Sequence, residues 1–207
     1  MESTERLDSE ELLHLALRAT QENKTEESIE YLKRAIELSP KFGKAYYLLG
    51  ALHAEIGLYD RAIEEMTKAI ELEPSMSAAH FQLGLLYITS GQVEQAREIW
   101  KALDEYGETH PFWLFKEGML HLAADDYERC IELLTQGIAL NKINPALNKD
   151  MQRVIERTKT LLENLAQEKP KTNGSSEPDP FDESEKLKTR KHVFLSAYQN
   201  QDDDTTH

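Results

Sequence analysis

The sequence predicts an all-α chain of stacked two-helix hairpins, and three residue spacings predict it. Gly50, Gly84 and Gly118 stand 34 residues apart, and so do Asn23, Gly57, Gly91 and Asp125. The small residues Ser28, Ala62, Ala96 and Cys130 keep the same interval. Gly, Asn and Asp tolerate the left-handed backbone that ends a helix abruptly, and small side chains are needed where two helices approach closely. One interval shared by independent series marks a repeat. Composition agrees: 207 residues hold 9 Gly and 7 Pro, too few for a protein of many sharp turns and strands.

The first hairpin is expected over about Ser9 to Leu38, the second over Gly43 to Leu72, the third over Ser77 to Tyr106 and the fourth over Pro111 to Leu140. In the second, Tyr46, Leu49, Leu52, His53 and Ile56 recur at steps of three and four, as do Ile63, Met66, Ala69 and Ile70. That is the period of a helix with one apolar face. Pro40 and Pro74 share the interval, and Pro111 and Pro145 repeat it three residues out of frame. Asn144 followed by Pro145 opens one more helix, to about Gln167, because Asn caps helices and Pro suits their first position. Leu147, Met151, Val154, Ile155, Leu161, Leu162 and Leu165 give that helix a packing side, and its charged back suits the end of a stack.

The segments YYLLGALHAEIGLYDRAIEEMTKAIELEP (from Tyr46) and HFQLGLLYITSGQVEQAREIWKAL (from His80) resemble the tetratricopeptide repeat. The fourth hairpin departs from that pattern. Glu117 replaces the Leu before Gly118, Gly137 falls in a core slot of the second helix, and the closing Pro comes late. The resemblance, over about Ser9 to Gln167, implies a right-handed helical-hairpin solenoid of about four units. A C-terminal capping helix and a mostly disordered tail complete the expected chain. It also implies a concave face, lined by the first helix of each pair, that takes an extended peptide or a partner helix.

Carried over slot by slot, the inward positions are Glu10, Leu13, Leu17 and Thr20; Lys44, Tyr47, Ala51 and Ala54; Ala78, Phe81, Leu85 and Ile88; and Phe112, Phe115, Met119 and Leu122. Only Lys44 is basic, so the clamp that chaperone-binding relatives build for an acidic C-terminus is not expected. The candidate groove is apolar instead: Leu13, Leu17, Lys44, Tyr47, Phe81, Leu85, Ile88, Phe112, Phe115 and Met119. At about 25 cal/mol per Å² of apolar area, covering three or four such rings stabilises a complex by several kcal/mol. An exposed apolar strip of that size marks an interaction site. The competing reading, strongest for Leu85 and Leu122, is core between repeats.

Charge and motifs narrow the function. Lys+Arg 24 against Asp+Glu 38 gives a net charge of −14, which argues against a nucleic-acid surface and against docking on anionic lipid. No secretory leader is read at Met1 onward, and no apolar run approaches the roughly 18 residues that span a bilayer, so the cytoplasm, in bacterial style, is the expected location. Cys130 is alone, no Cys or His pair has zinc spacing, and the glycines are isolated rather than grouped in a phosphate loop. His53 and His121 share a slot with Tyr87 and read as packing rings. No cofactor, metal or catalytic group is expected. The expected role is a non-enzymatic protein–protein interaction adaptor. The alternatives are a chaperone for a secreted or assembling client and a regulatory subunit of an enzyme complex.

The domain reading is a repeat body over 1–168, a linker over 169–183 rich in Pro, Gly and polar residues, and a tail over 184–207. In the tail, Lys186, Lys188, Arg190 and Lys191 precede Val193, Phe194, Leu195 and Tyr198. Leu187, Lys191, Phe194 and Tyr198 fall at helical steps, while VFLSAY equally suits an added strand. Residues 1–168 carry a net −12 and residues 169–207 a net −2, with the tail's bases grouped beside its apolar patch. The expectation is that the tail docks on its own groove or, as self-association, on a neighbour's, and competes with a ligand. A free linear motif for another protein is the other reading.

Overall fold

The computed structural model describes residues 7–167, through which nine α-helices and one 3-10 segment run. The helices are α1 (Ser9–Gln21), α2 (Thr25–Leu38), α3 (Gly43–Glu55), α4 (Tyr59–Leu72), α5 (Ser77–Thr89), α6 (Val93–Trp100), α7 (Pro111–Ala123), α8 (Tyr127–Leu140) and α9 (Pro145–Gln167). The 3-10 segment, Lys101–Tyr106, follows α6 directly. The described residues form the all-α helical-hairpin repeat fold that the 34-residue interval predicts.

Each hairpin turns on the residue predicted for it. Asn23, Gly57, Gly91 and Asp125 have φ of 57°, 79°, 77° and 61°. The next residue in each case sends its N–H back five positions: Lys24 to the Ala19 carbonyl, Leu58 to His53, Gln92 to Tyr87 and Asp126 to His121, at 2.8 to 2.9 Å. This satisfies a carbonyl at the helix end that would otherwise lack a partner. The small series is fully buried, with Ser28, Ala62, Ala96 and Cys130 each at 0 % exposure.

Helix starts are held by side chains. Asp8 and Glu11 of α1 form a reciprocal capping box, each accepting the other's backbone N–H at 2.8 and 2.9 Å. Asn144 accepts the Leu147 N–H at 3.0 Å ahead of α9. The start of α3 is capped from a distance, Glu73 accepting the Lys44 N–H at 3.2 Å.

The third hairpin differs from expectation in its second helix, which is α-helical only to Trp100 and tightens to 3-10 up to Tyr106. Leu103 is buried in the slot that holds Ala35, Ala69 and Gly137 in the other hairpins.

The chain divides inside α5, between Leu86 and Tyr87, into two units. In the first, α2 packs on α1 and α3, and α4 packs on α3. Leu12, Leu13, Ala16, Leu32, Ala35, Ala45, Leu49 and Leu52 form its core cluster. In the second, α8 lies against both α7 and α9. Leu147, Met151, Val154 and Ile155 are the buried face of α9.

Candidate protein-interaction surface

In the first unit the inward slots are partly open. Leu17 is 39 % exposed, Glu10, Thr20 and Lys44 are exposed, and Tyr47 and Ala51 are half-buried. Thr20 turns its hydroxyl to Ser28 of α2 at 2.9 Å and to the Ala16 carbonyl at 3.0 Å, so its polar end serves the hairpin. Leu13 and Ala54 are buried, as are Phe81 and Leu85 of α5, each at 1 %. In the second unit Ile88 is buried, and Phe115, Met119 and Leu122 of α7 reach 0 %. Phe112, at the start of α7, is half-buried.

The continuous apolar strip expected of these slots is therefore not open to solvent. Phe81, Leu85, Ile88, Phe115 and Met119, with Leu13, lie in the interior. For Phe115 the reason is local. A Cβ placed on Gly137 would collide with the Phe115 Cε1 and lie 2.6 Å from its Cδ1, so the ring fills the space that the missing side chain leaves. The slot points the ring inward, and the glycine lets it sink onto α8. The signal was in the sequence as Gly137 itself, standing where Ala35 and Ala69 stand in the first two hairpins.

Two polar clusters beside these slots go beyond the sequence reading. His53 is buried and its Nδ1 lies 2.6 Å from Glu65 Oε2 on α4. Burial pushes the Glu65 carboxyl above its ordinary range, against the opposing pull of His53, Arg61 and Lys33. The equivalent His121 meets Asp126 at 2.9 Å in a more exposed setting. The packing ring expected at this slot is thus also one half of a polar pair. The second cluster explains Glu117. Lys116, its side chain only 7 % exposed, holds Asp104 of the 3-10 segment at 2.6 Å and Glu117 at 2.8 Å, with its Nζ 5.6 Å from the centre of the Trp113 ring. Burial pulls the Lys116 ammonium down, and the hydrogen bonds to Asp104 and Glu117 outweigh it, leaving its pKa raised. The Cys130 thiol is pushed up to about 12 by burial, which suits a packing role rather than a reactive one.

Among the described residues no group of His, Cys, Asp and Glu is arranged to hold a metal ion, and no helix is long and apolar enough to cross a membrane. Val193, Phe194, Leu195 and Tyr198 lie outside the described residues.

Hairpins in one register, each turning on a left-handed residue and closing on a small buried one, define an α-helical hairpin-repeat protein. Comparison with known families makes the class specific. Residues 18–57 match a family model described as TPR repeat, and residues 55–111 match one described as tetratricopeptide repeat. Residues 18–111 of the chain carry tetratricopeptide repeats. Its fold is similar to a chain in the crystal structure of the APC/C hetero-tetramer Cut9–Hcn1, at a TM-score of 0.63 and 19 % identity, covering 78 % of this chain and 32 % of that one. It is also similar to a tetratricopeptide repeat protein from Parabacteroides merdae (TM-score 0.60, 15 % identity, 97 % of this chain and 82 % of that one). A third likeness is to MamA from Desulfovibrio magneticus RS-1 (TM-score 0.54, 18 % identity, 79 % of this chain and 97 % of that one). The chain spans about a third of the length of the Cut9–Hcn1 chain it matches. No curated protein matches the sequence. Repeats of this family generally mediate protein–protein interaction.

Proposed function

We propose that this chain is a non-enzymatic adaptor that holds an apolar peptide or helix of another protein along α1 and α3 of its first unit. One observation carries the reading: the slot closed by Leu85 on α5 and Met119 on α7 is open at Leu17 on α1 and half-buried at Ala51 on α3, and Tyr47 of α3 is half-buried where Phe81 and Phe115 are closed. Leu17 and Tyr47 offer apolar surface there, and Glu10 and Lys44 of the same two helices are exposed charges. The wider groove proposed from the sequence narrows to this end, with Phe112 a separate, half-buried position in the second unit. A partner segment with apolar residues at helical spacing and an acidic residue for Lys44 fits this surface, the apolar contacts supplying affinity and the charges orientation.

Quantitative co-purification tests it. The full chain and a Leu17→Asp/Tyr47→Ser variant are compared by mass spectrometry, with helical content and unfolding midpoint as controls. A partner held by the wild type and reduced at least about tenfold on the folded variant supports the reading, since placing a charge in an apolar contact costs more than 1.4 kcal/mol. Partners retained equally by both would overturn it.

A further inference from the structure

We propose that residues Lys186–Tyr198 of this chain dock in an open depression on its second unit, lined by Tyr87 of α5 and by Glu94, Gln95, Glu98 and Ile99 of α6. The depression has a volume of 510 Å³ and a mostly apolar lining. Its floor follows from the repeat: Tyr87 and Ile99 occupy the two slots where His53 and Glu65 meet in the second hairpin. An aromatic and an aliphatic residue replace a polar pair, and they leave apolar surface at an opening rather than a closed hydrogen bond. The carboxylates of Glu94 and Glu98 stand beside it. Their partners, each three residues further on, are Arg97 at 3.8 Å and Lys101 of the 3-10 segment at 2.6 Å, exposed pairs that cost little to exchange.

The tail carries the complementary chemistry, bases followed by apolar residues. Lys186, Lys188, Arg190 and Lys191 match the two carboxylates, and the Val193–Leu195 patch matches the Tyr87–Ile99 floor. The body from residue 1 to 168 carries a net −12, which draws a basic segment back toward it. Chain length permits the contact. The 18 residues from Glu168 to Glu185 have a root-mean-square span of about 23 Å and a fully extended reach of about 60 Å. Within the second unit, α9 packs on α8, α8 on α7, and α7 touches α6. Three helix-to-helix steps amount to about 25–30 Å, within that reach.

Magnitude decides between the chain's own tail and a second copy. A tether whose span is close to the separation gives an effective concentration in the millimolar range. A small apolar contact rimmed by exposed ion pairs is weak, so it fills at millimolar and stays empty at the micromolar level a second copy supplies. The inference does not depend on the partner surface of α1 and α3, which lies in the other unit, and its test needs no partner.

The test is disulfide capture in the full chain. Gln95→Cys, on exposed α6 surface, is paired with Ser196→Cys, and Cys130 stays silent because its thiol is buried and its pKa is about 12. The control pairs Gln95→Cys with Thr206→Cys, on the same tail beyond the motif. Mild oxidation is expected to close an intramolecular bond in the Ser196 pair at least about tenfold faster than in the control. Phe194→Ser, or Glu94→Lys with Glu98→Lys, should remove that advantage. Adding Lys188→Glu, Arg190→Glu and Lys191→Glu to the second of these should restore it. Equal rates in the two pairs would overturn the proposal. So would disulfide-linked dimers as the main product, since they assign the depression to a second copy.

Discussion

The second and fourth hairpins are written on one template and solve it differently. In the second, α3 and α4 carry Leu49 before Gly50, Ala69 in the small slot, and a buried His53–Glu65 pair. In the fourth, α7 and α8 carry Glu117, Gly137 and the more exposed His121–Asp126 pair. Each departure in the fourth has its own compensation. The Phe115 ring fills the space at Gly137, and Lys116 neutralises Glu117 while reaching Asp104. A repeat tolerates loss of its pattern residue where a second residue takes over the packing or the charge, so departures come in coupled pairs.

The strongest way to break this comparison is at Phe115. Phe115→Ala is expected to lower stability by about 3–5 kcal/mol, because it opens a cavity at 0 % exposure. Gly137→Ala should lower it by about 1–3 kcal/mol through overpacking against the ring. Chemical unfolding of the double variant measures the coupling. Phe115→Leu with Gly137→Ala should be less damaging than Phe115→Leu alone and Gly137→Ala alone summed, because the smaller side chain makes room for the methyl group. Additive effects would show that ring and glycine are independent. The same Gly-for-Ala exchange in the second hairpin, Ala69→Gly, should cost about 1 kcal/mol in helix propensity, plus the small void it leaves where the half-buried Tyr47 ring, in the slot of Phe115, does not move in to fill it.

A smaller effect is expected at the ion cluster. Lys116→Met keeps the aliphatic stem but leaves Glu117 beside an apolar neighbour, at a cost of about 1–2 kcal/mol. Lys116→Met with Glu117→Leu restores the pattern residue and removes both charges, and should return most of that loss. Thermal unfolding of the two variants tells them apart. If the double variant were the less stable, the cluster would be a net stabiliser rather than a compensation.

The backbone of this molecule was legible because it depends on short-range rules. Left-handed turn residues, caps and small slots act within a few positions of themselves, and a 34-residue interval repeats them. Hence Asn23 and Asp125 fall in with Gly57 and Gly91 on spacing and residue type alone. Openness of the inward slots was not legible in the same way. A slot number gives the direction of a side chain, whereas its exposure depends on what lies opposite, and for Phe115 that is a glycine 22 residues further on. The Glu117–Lys116–Asp104 cluster was hidden for a related reason, since Asp104 comes from a 3-10 segment that the 34-residue spacing does not mark.

The finest distinction lies between the two histidine slots, and pH resolves it. Glu65 holds its proton more tightly in the folded chain than in the unfolded one, because burial disfavours its charge. Between the two values the folded state binds more protons, so the contribution of Glu65 to stability is greatest below the ordinary carboxylate range and is lost as pH rises through the elevated value. Glu65→Gln has no carboxyl to titrate and can still bond to His53, so this part of the pH dependence should vanish while the hairpin stays intact. Denaturant midpoints of the wild type and Glu65→Gln across the acidic range measure the difference. In the fourth hairpin Asp126 also caps α8, accepting the Arg129 N–H at 3.3 Å, and Asn caps as well as Asp. Asp126→Asn should therefore shift stability by no more than a few tenths of a kcal/mol. Wild type and Glu65→Gln profiles of the same shape would mean that the buried pair of the second hairpin is energetically no different from an exposed one, and the contrast between the two slots would be geometric only.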